Sequence, residues 1–171
     1  MRLLVAWPAV GAGAALWLSG CLAPPKAPPF AAIRSEPAAV RWQQGTHVSV
    51  LRATCEKAAS GSVRVTLDRP GAGSFVLEPD GRLIAPNWTG QVGAAPPGLS
   101  VWGSFLTIWQ NADRLPPGDR EFHTPATRIA VRKTARGLES VGIRSLDAPE
   151  SLNVVFRPGR QSSRPGENPP P

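Results

Sequence analysis

The chain has 171 residues, with 19 Lys and Arg against 12 Asp and Glu and a formal net charge of +7. That length holds one domain with terminal appendages and excludes two full domains. Two cysteines exclude a disulfide-rich scaffold, and 20 prolines with 17 glycines announce a chain cut into short elements by turns and linkers.

In chain order, Arg2 is followed by an apolar run from Leu3 to Leu18 without an ionisable residue, which ends in Leu18-Ser19-Gly20-Cys21. The run is short for a membrane span, which takes ~20 apolar residues. Its parts are those of an export signal: a charge, an apolar core, then small residues at a cleavage point. An ordinary secretory signal or a membrane anchor with an incidental cysteine competes with a more specific reading. The closing box resembles the signal of bacterial lipoproteins, and the resemblance implies a signal peptide over residues 1–20, cleavage between Gly20 and Cys21, and acylation of Cys21. Several acyl chains anchor a protein stably where one does so only marginally, at about 0.8 kcal/mol per buried methylene. Leu22, standing where retained inner-membrane lipoproteins of enteric bacteria often carry Asp, favours the outer membrane, with the domain facing the periplasm.

Export changes the meaning of the charge. Among the available polyanions are phospholipid head groups, which attract a basic protein weakly, while no nucleic-acid motif is present. The preference for Arg over Lys, 16 to 3, also fits codon bias. With Cys21 committed to lipid, Cys55 has no intramolecular disulfide partner and reads as a small buried apolar residue. Residues 21–38 contain Pro24-Pro25, Pro28-Pro29 and Pro37 and read as a tether in extended polyproline II, reaching up to ~50 Å at about 3.1 Å per residue. Residues 158–171 lack apolar periodicity and read as a disordered tail. The domain is expected over 39–157.

Inside it the period is two. Val48 and Val50 alternate with Ser49, Val63, Val65 and Leu67 with Arg64 and Thr66, and Phe75 and Leu77 flank Val76. Ser60-Gly61, Arg69-Pro70-Gly71 and Pro79-Asp80-Gly81 separate these strands as turns, so antiparallel hairpins are expected. After Leu83 and Ile84 the chain loosens from Pro86 to Gly98, a stretch read as a loop with Trp88 at its tip. From Leu99 to Leu115, Trp102, Phe105, Leu106, Trp109 and Ala112 recur at helical spacing, and Pro116-Pro117-Gly118 stops the helix. Gly103 and the β-branched residues leave a strand from Val101 to Trp109 as a competitor. Ile129 and Val131, Val141 and Ile143, then Leu152, Val154 and Phe156 give three more strands.

This order of elements resembles the LolA/LolB-like fold, and more narrowly the small LolB-like outer-membrane lipoproteins of aryl-polyene gene clusters. The likeness rests on Val63 to Leu67, on the hairpin Phe75-Val76-Leu77-Glu78-Pro79-Asp80-Gly81-Arg82-Leu83, on Leu99 to Leu115 and on the closing strand Leu152 to Phe156. It implies a mainly β fold with one or more short helices, a strongly curved antiparallel sheet forming a half-open barrel. It also implies a hydrophobic lipid or lipoprotein acyl cargo, with Val63, Val65, Leu67, Phe75, Leu77, Trp102, Phe105, Leu106 and Trp109 as the cavity lining. Core packing is the competing reading for each of these residues. Trp88 is a candidate for insertion into a membrane interface, or folds back onto the sheet.

His47 and His123 have no Cys, His or acidic pair at metal spacing, and neither GxSxG nor HExxH occurs, so no catalytic residue, metal or cofactor is expected. The alternative to a carrier is a structural or adaptor lipoprotein of an envelope or secretion assembly. It would contact its envelope protein partner through a sheet edge or the basic stretch Arg128, Arg132, Lys133 and Arg136.

Overall fold

A computed structural model of the protein describes residues 30–156. The cleavage and lipidation readings at Gly20 and Cys21, and the tail 158–171, lie outside these residues.

Alternation begins earlier than the composition suggests. β1 (Ala32–Gln44) and β2 (His47–Ala58) form a long hairpin that turns at Gly45, whose φ of 59° lies in the left-handed region. The first six residues of β1, Ala32 to Pro37, belong to the stretch read as tether, which is thereby corrected to end before Ala32. Proline and small residues hide the strand there. Pro37 is tolerated because this part of β1 pairs with β2 alone among the described residues, the register with the last strand starting at Ala38 opposite Phe156. Arg34 fastens it, pairing with Glu36 and with Asp113 at 2.7 Å and lying 5.1 Å over the Trp109 ring.

β3 (Val63–Leu67), β4 (Ser74–Leu77), β5 (Arg82–Ala85) and β6 (Trp88–Gln91) continue the meander, and β7 (Gly118–His123), β8 (Thr127–Thr134), β9 (Gly137–Ser145) and β10 (Glu150–Phe156) follow the helix. Every pairing is antiparallel and the sheet order is β6-β5-β4-β3-β2-β1-β10-β9-β8-β7. The first strand thus meets the last at the centre, and β6 and β7 are left as separate edges. The sheet is not closed.

The single α-helix among the described residues, α1 (Ser100–Gln110), packs against β3 and β4 on one wing and against β8, β9 and β10 on the other. One short helix touches both wings only if the sheet curls around it. The fold is therefore mainly β, a curved open antiparallel sheet wrapped on one helix, as expected.

α1 stops at Gln110, before the expected Leu115. Asn111 ends it: its backbone N–H and its Nδ2 both satisfy the Thr107 carbonyl, and a 3-10 turn over Ala112–Arg114 follows. Gly103 belongs to the helix because of packing, since a Cβ there would meet Val92 Cγ2 at 2.5 Å. Two strands were illegible. β6 lies inside the expected loop 86–98, and β7, Gly-Asp-Arg-Glu-Phe-His, is an exposed edge with no apolar alternation.

The face of β2 is also corrected: Leu51, Ala53 and Cys55 point to the helix, whereas Val48 and Val50 point to solvent, Val50 at 74% exposure. A bulge between Arg132 and Lys133 brings both Leu138 and Val141 of β9 inward although they are three residues apart. Among the described residues the core runs from Ala38 to Phe156. Trp102, Phe105, Leu106 and Trp109 supply its centre, each fully buried large side chain contributing roughly 1.5–3 kcal/mol.

Candidate functional site

At the end of the sheet where α1 begins, the inner face opens into a groove of about 660 Å³. Its apolar walls are Trp42 from β1, Leu51 from β2, Phe75 from β4, Ala85 and Trp88 from the β5–β6 hairpin, and Leu99 before the helix. Each comes from an inward position of its strand or from the segment leading into α1. Among the described residues no Asp or Glu lines the groove, while Arg69 and His47 stand among its polar residues.

An aromatic relay forms the floor. Phe75 stacks on Trp102 with ring centres 4.4 Å apart, and Trp42 meets Trp102 edge-on at 5.5 Å. Trp42 Nε1 donates to Glu150 Oε1 at 2.9 Å, which holds a buried carboxylate against the entry to the helix. A Cβ at Gly98 would sit 3.8 Å from that oxygen. α1 has neither a side-chain cap nor an acidic residue in its first turn, so the Glu150 charge complements the positive end of its dipole. Among the described residues, Glu150 Oε2 and Trp102 Nε1 are buried without a hydrogen-bond partner.

Of the nine residues expected to line a cavity, Leu67 and Phe75 line this groove. The correction concerns the other seven. Val63, Val65, Leu77, Trp102, Phe105, Leu106 and Trp109 are at most 1% exposed and belong to the packed core. Phe156 explains part of the filling, with Trp109 stacked on it at 5.0 Å and Phe105 at 6.2 Å. Periodicity identifies which side chains face inward; whether neighbours reach far enough to fill the space between them is a property of the packing. Trp42 and Leu51 were missed as groove residues, although both continue the inward alternation of Val40 and Ala53.

Trp88 is in the edge strand β6, opposite Ala85, and not at a loop tip. Its indole lies over Gly90, where a Cβ would be 2.7 Å from Cζ2, so this glycine makes room for the ring as it folds back onto the sheet. Cys55 is fully buried, and burial, with the charges of Glu36 and Glu56 adding to it, pushes its thiol up to about 12.

The basic stretch does not form one patch. Arg132 pairs with Asp119 at 3.0 Å, and Lys133 donates to the carbonyls of Ala112 and Leu115 at the end of the helical segment. Arg128 and Arg136 are exposed, one on the outer face of the sheet and one in the β8–β9 turn.

No family model matches the sequence, and no curated protein matches it. Among solved structures, the chain is similar to the crystal structure of a LolA superfamily protein from Nitrosomonas europaea, with 9% identity and a TM-score of 0.39 over 75% of this chain and 85% of that one.

Proposed function

We propose that this protein is a lipid-anchored outer-membrane protein whose domain binds a hydrophobic lipid or acyl cargo in the periplasm and helps transfer it. The groove is the observation that supports this reading. Its volume of about 660 Å³ is that of a small-molecule site, its walls are aromatic and aliphatic, and its polar residues stand around an apolar floor. Covering hydrocarbon is favourable by roughly 25 cal/mol per Å² and needs no reacting group. Arg69 and His47, with no acid among the lining residues, suit a cargo whose polar end is anionic.

Acylation at Cys21 would supply the anchor. With β1 starting at Ala32, the link 22–31 spans ~31 Å when extended as polyproline II. Trp42 lies ten residues farther along β1, ~33 Å from its start. The groove and the tether would then stand at opposite ends of the domain, which suits a cargo handed in from the periplasmic side.

A second reading, the non-catalytic adaptor of an envelope assembly, is favoured by one specific observation, the close packing of seven of the nine expected lining residues. Native mass spectrometry of the soluble form beginning at Leu22, without the lipidated Cys21 and purified from the periplasm, separates the two. A carrier shows a stoichiometric hydrophobic adduct that leaves on denaturation, and Leu51→Glu with Leu99→Glu abolishes it. A clean apo mass with no uptake of an added acyl probe would overturn the carrier reading in favour of the adaptor.

A further inference from the structure

The face of the sheet turned away from α1 carries a charge pattern that the groove does not use. Three rows of cross-strand neighbours cross β2, β1, β10, β9 and β8 through Gln43, Arg41 and Ala39 of β1, and none of their positions holds Asp or Glu. Five strands at about 4.8 Å spacing make an acid-free band ~20 Å wide.

Arg41, Arg52, Arg128 and Arg144 lie in these rows, all exposed, and none makes an ion pair among the described residues. Arg132 is the fifth arginine and is neutralised by Asp119 of β7. Arg128 and Arg144 are direct cross-strand partners, a like-charge placement that disfavours the sheet by itself. The same rows expose Val48, Val50 and Val155, at 41%, 74% and 44%. Small residues, among them Gly142 and Ala130, lie between the long side chains.

We infer that this outer face docks on an anionic membrane surface, with the unpaired arginines on lipid phosphates and the exposed valines against the interfacial region. Unpaired cations interleaved with exposed aliphatic side chains match a surface that is anionic outside and apolar just beneath. A bilayer presents phosphates as an extended array and so matches a band of four unpaired arginines, whose acidic neighbours Asp119 and Glu121 lie outside it on the edge strand β7. Each arginine at such a surface is worth about fivefold in affinity, and the attraction weakens as salt shortens the screening length. The inference stands apart from the groove and its cargo.

The test is co-sedimentation of a chain beginning at Leu22, which keeps every core residue among the described ones, with vesicles of phosphatidylcholine alone or of equal phosphatidylcholine and phosphatidylglycerol. The protein is expected on the mixed vesicles at low salt and not on the neutral ones. Arg41→Ser with Arg128→Ser and Arg144→Ser should weaken binding on the order of a hundredfold, with an unchanged circular dichroism spectrum and an unfolding temperature no lower than wild type. A control of equal charge, Arg82→Ser with Arg114→Ser and Arg136→Ser, removes arginines outside the three rows and should retain binding within severalfold. Equal loss in both variants would reduce the effect to net charge and overturn the inference, as would failure to bind the mixed vesicles. Tighter binding to soluble polyglutamate than to vesicles, lost in the same first variant, would reassign the face to an acidic protein segment.

Discussion

Gly103 and Cys55 show how single residues answer to their surroundings. A glycine inside a helix costs about 1 kcal/mol relative to alanine, yet Gly103→Ala is expected to lower stability, because its new methyl meets Val92 Cγ2 at 2.5 Å. Overpacking of this kind costs about 1–3 kcal/mol, and the net loss should be about 1 kcal/mol in chemical denaturation. Its sequence context marks Gly103 only as a weak helix residue; the close approach of a segment eleven positions earlier explains it. Cys55, by contrast, reads as a buried apolar residue from sequence and is one. Its thiol stays protonated in the folded protein up to about 12, while the unfolded thiol ionises near 9. Between those values the unfolded state is the one that loses the proton, so stability falls as pH rises, by about 1.4 kcal/mol per pH unit. Cys55→Ala should remove that alkaline slope from the stability profile. In the native wild type, a thiol reagent at pH 8 should react only after denaturant is added.

At the scale of elements, the end of α1 is held by charges from three strands. Lys57 of β2 donates to the Gln110 carbonyl at 3.0 Å and to Asp113 at 2.7 Å, Arg34 of β1 pairs with Asp113, and Lys133 of β8 bonds the Ala112 and Leu115 carbonyls. Cations belong at this end of a helix, where the dipole is negative and carbonyls lack partners. Lys133→Met keeps the length of the stem and loses these bonds, and should cost ~2 kcal/mol in equilibrium unfolding. The hydrogen bond from Lys57, with Arg34 adding its charge, holds the Asp113 carboxyl below the usual carboxylate range. Its contribution is present above the unfolded carboxylate value, near 4, and is lost as pH falls through the depressed folded value. Asp113→Asn should therefore flatten part of the acid limb of the stability curve; an unchanged limb would mean that solvent screening cancels the pair. The helix was legible because its apolar stripe is strong. Its end was not, because a local Asn111 turn acts before the Pro116-Pro117 stop, and neither lysine sits near the helix in sequence.

For the molecule as a whole, the pairing of β1 with β10 decides where the domain begins. A chain starting at Leu22 keeps all of β1, whereas one starting at Ala38 loses residues 32–37, five of which pair with the end of β2, and the ties of Arg34 to Asp113 and Trp109. The shorter chain should unfold several degrees lower, by differential scanning calorimetry, and the longer one should match the full protein. Phe105 and Trp109 also belong to this scale. Both lie in the packed interior at no more than 1% exposure, so making both polar should unfold the domain, at a cost of about 3–5 kcal/mol for each large side chain lost. A folded double variant would place open space where the core is packed. Cargo binding is better probed at Leu51 and Leu99, which line the groove and are only partly buried.

By itself the sequence determined that this is a mainly β domain and pointed to an amphipathic helix over Leu99 to Leu115 ahead of a competing strand, because a period of two and a period near 3.6 write the inner face of each element into the order of residues. It also determined that Val63, Val65, Leu67, Phe75 and Leu77 turn inward with Trp102, Phe105, Leu106 and Trp109. Tertiary structure alone decided what those residues enclose. Phe156, from the last strand, stacks against the helix and fills the interior, so the open space lies at the mouth beneath Trp42 and Trp88. It also decided that Val48 and Val50 face out among unpaired arginines, because the register of β2 against β1 and β3 turns Leu51, Ala53 and Cys55 inward. Alternation is the same pattern when read from either face, and only pairing across distant strands selects the side that is buried.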